Sequence, residues 1–350
     1  MRLAAVLLML FLLGACAPRL QPPTLETVEP VLRDSAIVMD DGAALPLRQW
    51  LPAGEPRSVV LALHGFNDYS NAFASPAAHW AEYGIATFAY DQRGFGETFH
   101  RGLWPGEERM IEDLRVAARL LRARYPNAPL YLLGESMGGA VIMAAATSAD
   151  PPSADGLILA APAVWGREVQ GPIQSTFLWF AAHTVPWLPL TGEGLNVHPS
   201  DNIPMLRQLA LDPLVIKETR VDAIYGLVNL MDMAYDAAPR LEGRTLVLYG
   251  AREDILPEGA VVATLRRMPA ETDASLRVAL YPRGYHMLLR DLNAADVLDD
   301  VAAWIADPAA PLPSGGDTVA NALLNGTDDD LEAAAARAAE PPPVVTVPKS

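Results

Sequence analysis

The chain has 350 residues, 51% of them hydrophobic, and a formal net charge of -16. That is enough apolar material for a large core, and the acidic balance excludes a nucleic-acid partner, since no basic surface is available to neutralise phosphate. The one cysteine, Cys16, excludes an intramolecular disulfide.

The first stretch reads as a targeting signal. Arg2 supplies a positive n-region, and Leu3 to Leu13 is apolar but too short to span a bilayer comfortably. Leu13-Gly14-Ala15-Cys16 then resembles the lipobox of bacterial lipoprotein signal peptides. The resemblance implies removal of residues 1–15, acylation of Cys16, and a lipid-anchored protein of the bacterial cell envelope. Ala17, not Asp, follows the cysteine; by the same resemblance this points to the outer membrane, facing the periplasm. Residues 16–34 read as a polar, Pro-bearing tether.

The folded domain is expected over 35–306. Ala36 to Leu51 alternates in type around Asp40-Asp41-Gly42 and predicts an antiparallel hairpin. Ser58 to Leu63, Gly84 to Tyr90, Leu130 to Leu133, Gly156 to Ala161, Arg244 to Tyr249 and Leu276 to Tyr281 are short apolar runs that predict internal strands. Helical spacing lies between them, at Asn71 to Tyr83, Glu107 to Tyr125, Gly139 to Ala146 and Glu258 to Met268. Val297 to Ala306 closes the domain. Such alternation implies an α/β fold with a mainly parallel sheet covered on both faces. Residues 162–241 interrupt it without a clear strand and are rich in Trp, Phe, Leu and Met. They predict a helical cap inserted between core strands. Residues 307–350, with Asp328-Asp329-Asp330 and Pro341-Pro342-Pro343, read as a disordered tail.

The chemistry concentrates where such sheets bind ligands, at the carboxyl ends of the strands. Gly134-Glu135-Ser136-Met137-Gly138 fits G-x-S-x-G between an apolar strand and a small-residue helix start, the context of a nucleophile elbow. A Ser hydroxyl needs a base, and the base needs an acid. Among six His, His286 is the best base: it follows the last strand and precedes the closing helix. The acid is expected after the strand ending at Tyr249, where Glu253 and Asp254 stand side by side.

These motifs, with His64-Gly65-Phe66-Asn67-Asp68, Asp91-Gln92-Arg93-Gly94-Phe95-Gly96 and Gly284-Tyr285-His286-Met287-Leu288-Leu289-Arg290-Asp291, resemble the α/β-hydrolase superfamily. Within it they resemble the monoacylglycerol lipase/lysophospholipase group, which shares its domain with serine aminopeptidases. The resemblance spans roughly Ser35 to Ala306 and implies the order Ser136, acid, His286. Its usual register favours Glu253, where the family mostly has Asp, and leaves Asp254 as the alternative. It places the oxyanion donors at the backbone N–H groups of Phe66 and Met137, leaving both side chains to line an acyl pocket. His64 is expected to shape its loop, and Asp91 and Arg93 to brace loops below the site.

The expected activity is release of a fatty acid from a small lipid ester, monoacylglycerol or lysophospholipid, through an acyl-enzyme. No metal or organic cofactor is expected. The membrane is the other expected partner, through the anchor at Cys16. Two alternatives stand beside it. A peptidase of the proline iminopeptidase type would bind a substrate amine through cap acids such as Glu193, Asp201 and Asp212. A non-catalytic envelope lipoprotein would keep the fold for binding alone.

Overall fold

The computed structural model describes residues 17–24, 27–192, 194, 197–269 and 276–325. Cys16, the signal segment, Glu193, Asp328-Asp329-Asp330 and Pro341-Pro342-Pro343 lie outside the described residues.

The strands, in chain order, are β1 (Val31–Leu32), β2 (Ala36–Val38), β3 (Ala44–Trp50), β4 (Ser58–Leu63), β5 (Ile85–Tyr90), β6 (Leu130–Glu135), β7 (Gly156–Ala160), β8 (Pro189–Thr191), β9 (Glu218–Arg220), β10 (Thr245–Gly250) and β11 (Leu276–Tyr281). Nine of them form one sheet in the order β1-β2-β3-β5-β4-β6-β7-β10-β11. The first three are antiparallel, β3 joins β5 antiparallel, and every pairing beyond is parallel. The predicted hairpin is β2–β3, with its turn at Asp40-Asp41-Gly42.

The helices are α1 (Ala74–Ala81), α2 (Glu107–Arg124), α3 (Met137–Ala146), α4 (Pro172–Ala182), α5 (Ile203–Leu211), α6 (Val221–Ala237), α7 (Glu258–Arg267), α8 (Ala294–Ala306) and α9 (Gly316–Asn325). Alternation along each strand divides the core in two. Val59, Leu61 and Leu63 face one side with Leu132, Leu159 and Val247, under α2 and α3. Val60 and Ala62 face the other with Leu133, Ile158 and Leu248, under α1 and α8. Each fully buried Leu, Ile or Val contributes about 1.5–3 kcal/mol, so both faces are held firmly. Trp80 Nε1–H donates to Leu298 O at 3.0 Å and Tyr131 O–H to Ile305 O at 3.1 Å, tying α1 and the sheet to α8.

Three expectations are corrected. The cap has a small sheet of its own, β8 antiparallel to β9, besides α4, α5 and α6; three-residue strands leave no periodic signal. The described part of the segment read as a tether lies on the domain. Arg19 N–H donates to Asp222 Oδ2 at 3.3 Å, Gln21 N–H to Trp104 O at 2.9 Å and Val28 N–H to Asp40 O at 2.8 Å, and β1 joins the sheet. The tail read as disordered from residue 307 is ordered through α9, which packs beside β11. Leu312 and Val319 are buried there, and Ser314 N–H donates to Asp300 Oδ1 at 2.9 Å. A few apolar residues in a Pro- and Gly-rich stretch suffice to cover an edge strand.

Candidate active site

Ser136 sits between β6 and α3 with φ 52° and ψ -113°, a left-handed conformation that costs a non-glycine residue about 1–3 kcal/mol. Hydrogen bonds hold it there: Ser136 N–H donates to Ala160 O at 2.9 Å, and Ala163 N–H donates to Ser136 O at 2.9 Å. The flanking glycines permit the turn. A Cβ at Gly134 would lie 2.4 Å from Gly138 C, and one at Gly138 would lie 2.1 Å from Leu63 O. The helix therefore starts against the end of β4, with its N-terminal dipole end at the serine.

His286 lies on the loop after β11 and is buried. Its Nδ1–H donates to Glu253 Oε2 at 2.7 Å. Glu253 Oε1 accepts from the N–H groups of Ile255 at 2.7 Å and Leu256 at 3.0 Å. Burial works against ionising Glu253, but the His286 hydrogen bond and charge and the two N–H groups outweigh it, holding the carboxyl below its ordinary value. A carboxylate that accepts from Nδ1 fixes the tautomer and leaves the lone pair on Nε2. Of the two adjacent acids, then, the geometry joins Glu253 to the imidazole. Asp254 turns to the cap, where its Oδ2 accepts from His198 N–H at 2.9 Å.

Ser136, His286 and Phe66 line one cavity of about 520 Å³ under the cap. Its roof and walls include Trp165, Leu178, Leu227, Met231 and Ile255. Phe66 packs edge-on against Phe95. The Met137 side chain does not share the cavity, contrary to expectation: it is fully buried in the core, because α3 turns it into the sheet. That leaves untouched its backbone N–H, the group assigned to the oxyanion.

The loops below the site are braced as expected. His64 Nε2 accepts from Gln92 N–H at 3.0 Å, and its Nδ1–H donates to Gly65 O at 2.8 Å. Burial lowers its pKa, and a ring whose Nε2 accepts a hydrogen bond carries no charge, so His64 serves as a strut. Asp91 accepts from Ser70 N–H at 3.0 Å and Glu97 N–H at 2.8 Å. Arg93 spans Asp113 at 2.6 Å and Asp41 at 2.7 Å. The acids considered for an amine do not gather: Asp212 accepts from Tyr69 O–H at 2.7 Å and Asp201 from Leu292 N–H at 2.8 Å, and neither lines the cavity.

Sequence reasoning passed over three charged residues that do line the cavity: Asp68, Glu135 and Arg290. A signal existed. Glu135 ends an otherwise apolar buried strand, and a buried carboxylate demands a partner.

Comparison with known proteins follows the same lines. The family described as serine aminopeptidase, S33, matches residues 54–293. The chain is 26% identical to a monoacylglycerol lipase of Mycolicibacterium smegmatis over 259 residues, covering 73% of this chain and 90% of the relative. It is also 26% identical to the monoglyceride lipase of Homo sapiens over 292 residues, covering 78% and 90%. Among solved structures, a soluble variant of monoglyceride lipase from Saccharomyces cerevisiae, in complex with a substrate analogue, superposes with TM-score 0.64 at 19% identity, covering 84% of this chain and 99% of that one. A lipase in its open form superposes with TM-score 0.68 at 19% identity, covering 80% and 99%. These likenesses establish the α/β-hydrolase fold.

Proposed function

The chain belongs to the serine aminopeptidase, S33, family, and from that premise we propose that it is a serine carboxylester hydrolase releasing a fatty acid from a monoacylglycerol or a lysophospholipid. One observation carries the reading: the imidazole bound by Glu253 shares a largely apolar cavity with a serine held on a strained turn. The names borne by the 26%-identical relatives favour monoacylglycerol.

The chemistry follows from the groups present. His286 Nε2 takes the Ser136 proton as Oγ attacks the ester carbonyl carbon. The oxyanion is held by the Phe66 and Met137 N–H groups, each lowering the barrier by roughly 3 kcal/mol. Glu253 stabilises the imidazolium. The intermediate collapses, the alcohol leaves with the proton from His286, and Ser136 keeps the acyl group. Water then attacks, giving its proton to His286, and the fatty acid departs as Oγ regains a proton. An apolar cavity suits the acyl chain. The cap acids Asp201 and Asp212, weighed for binding an amine, bond elsewhere and do not line the cavity, which favours the ester over the peptidase reading.

We place the enzyme at the bacterial outer membrane, anchored through Cys16. The lone cysteine at the end of an apolar segment supports this, as does the apolar outer surface of the cap. Phe177 and Phe180 of α4 are 73% and 59% exposed, and Trp187 beyond the helix 51%, large apolar side chains of the kind that mark interaction surfaces when they are left in water. A panel of monoacylglycerol, lysophospholipid, short p-nitrophenyl esters and aminoacyl arylamides tests the activity. Hydrolysis of arylamides alone, or of nothing by folded protein, overturns the ester reading. Loss of fluorophosphonate labelling in Ser136→Ala separates an enzyme from a binder. Mass spectrometry of the mature N-terminus reads the acylation.

A further inference from the structure

Beside the reacting groups lies a charged cluster that the steps above leave unused. Arg290 closes the short helical turn Leu288–Arg290, four residues after His286. Its Nη1 lies 2.8 Å from Asp68 Oδ2, and its Nη2–H donates to Glu135 Oε2 at 3.0 Å. The side chains are 8%, 7% and 3% exposed, and all three line the cavity.

Each member comes from a different part of the fold, and each stands close in sequence to one reacting group. Asp68 stands two residues after Phe66, Glu135 immediately before Ser136, and Arg290 four after His286. A guanidinium between two buried carboxylates is a poor way to gain stability, because desolvating the charges offsets much of their attraction. It is a good way to fix geometry, since a planar fork meets two carboxylates in set directions. It also sets the local field. Burial is the largest influence on the Glu135 carboxyl and raises it; Arg290 pulls it down, Asp68 pushes it up, and the His286 charge pulls it down.

We infer that Arg290 is a positioning residue for the hydrolysis, tying together the loops that bear Phe66, Ser136 and His286 and shielding the reacting atoms from the Glu135 and Asp68 carboxylates. The inference rests on the hydrolase reading. Its consequence is electrostatic as well as geometric. The charged groups around His286 are Glu253 from the loop after β10, Glu135 from β6, Asp68 from the loop after β4, and Arg290 and Asp291 from its own turn. The Asp254–His198 pair lies on the cap side. Removing the Arg290 charge leaves two uncompensated carboxylates in the cavity that His286 also lines, and negative charge nearby favours the protonated imidazole. Removing the Glu135 charge does the reverse.

The test is kcat and KM for a short p-nitrophenyl ester from pH 5 to 9, with thermal melts, on full-length wild type, Arg290→Met, Arg290→Lys, Glu135→Gln and the double variant Glu135→Gln/Arg290→Met. For Arg290→Met, kcat is expected to fall about tenfold or more while KM stays within about twofold. Its acid limb should move up by about half a pH unit or more, and that of Glu135→Gln should move down. The double variant should return toward the wild-type limb, and Arg290→Lys should recover part of kcat. Limbs that stay put, or move the same way in both single variants, overturn the inference. If Arg290→Met does not fold, the direction of the Glu135→Gln shift decides. Wild type inactive on every ester would instead fail the hydrolase reading.

Discussion

Glu253 and Asp254 are neighbours in the chain but serve different imidazoles. Glu253 Oε2 accepts from His286 at 2.7 Å, whereas Asp254 Oδ2 accepts from the backbone N–H of His198 at 2.9 Å, with the His198 ring 3.2 Å away. The longer glutamate arm reaches the base, and two backbone N–H groups at 2.7 and 3.0 Å hold its second oxygen.

Substituting these two acids separately should therefore give unequal results. Glu253→Ala is expected to lower kcat by about 10³–10⁴-fold, the range for losing the group that orients a catalytic imidazole. Asp254→Ala should stay within about threefold of wild type, since its carboxylate is partly exposed and bonds the cap. Steady-state rates on a p-nitrophenyl ester check both, and a larger loss in Asp254→Ala would reverse the assignment.

The same carboxylate links stability to pH. Its folded-state pKa is depressed, so its contribution is fully present above the unfolded value of about 4.3 and is lost as pH falls through the lower folded value. Denaturant titrations of wild type and Glu253→Gln should show a wild-type advantage that is present above the unfolded carboxyl pKa and shrinks below about pH 4. An advantage that instead grows on acidification would contradict the depressed pKa.

Two glycines should respond oppositely to alanine. At Gly138 the new Cβ would meet Leu63 O at 2.1 Å. Overpacking of this kind against backbone costs about 3 kcal/mol or more and should lower Tm by about 6 °C or prevent folding. At Gly259, in α7, a Cβ meets nothing within 4 Å, and alanine should add about 0.5–1 kcal/mol. Calorimetry of the two variants gives the comparison.

The outer surface of the cap should matter only at a lipid surface. Replacing Phe177, Phe180 and Trp187 together by Ser removes apolar area that faces water. Co-sedimentation with phospholipid vesicles is expected to fall several-fold, while turnover of a soluble short-chain ester stays within about twofold. Equal vesicle binding by both proteins would assign the exposed aromatics no such part.

The sheet was readable because its strands are unbroken apolar runs. SVVLAL, IATFAY and TLVLYG are buried on both faces, so every position carries the signal. Strands β1, β8 and β9 were not, being two or three residues long. The order leading into α9 was hidden because Leu312 stands alone between prolines. Ser136 and His286 could be located from their places after strands. The choice between two adjacent carboxylates depended on one residue of register, which a chain alone fixes weakly. Arg290 was missed because its meaning lies in Asp68 and Glu135, 222 and 155 positions away in sequence.

The docking of Arg19 and Gln21 beside Asp222 and Trp104 shortens the leash. Only three peptide steps separate Cys16 from Arg19, at most about 11 Å of chain. Were that cysteine acylated, the catalytic body could not roam the aqueous space. Under the anchoring we propose, it would graze a single leaflet, meeting ester by lateral diffusion rather than by search in three dimensions.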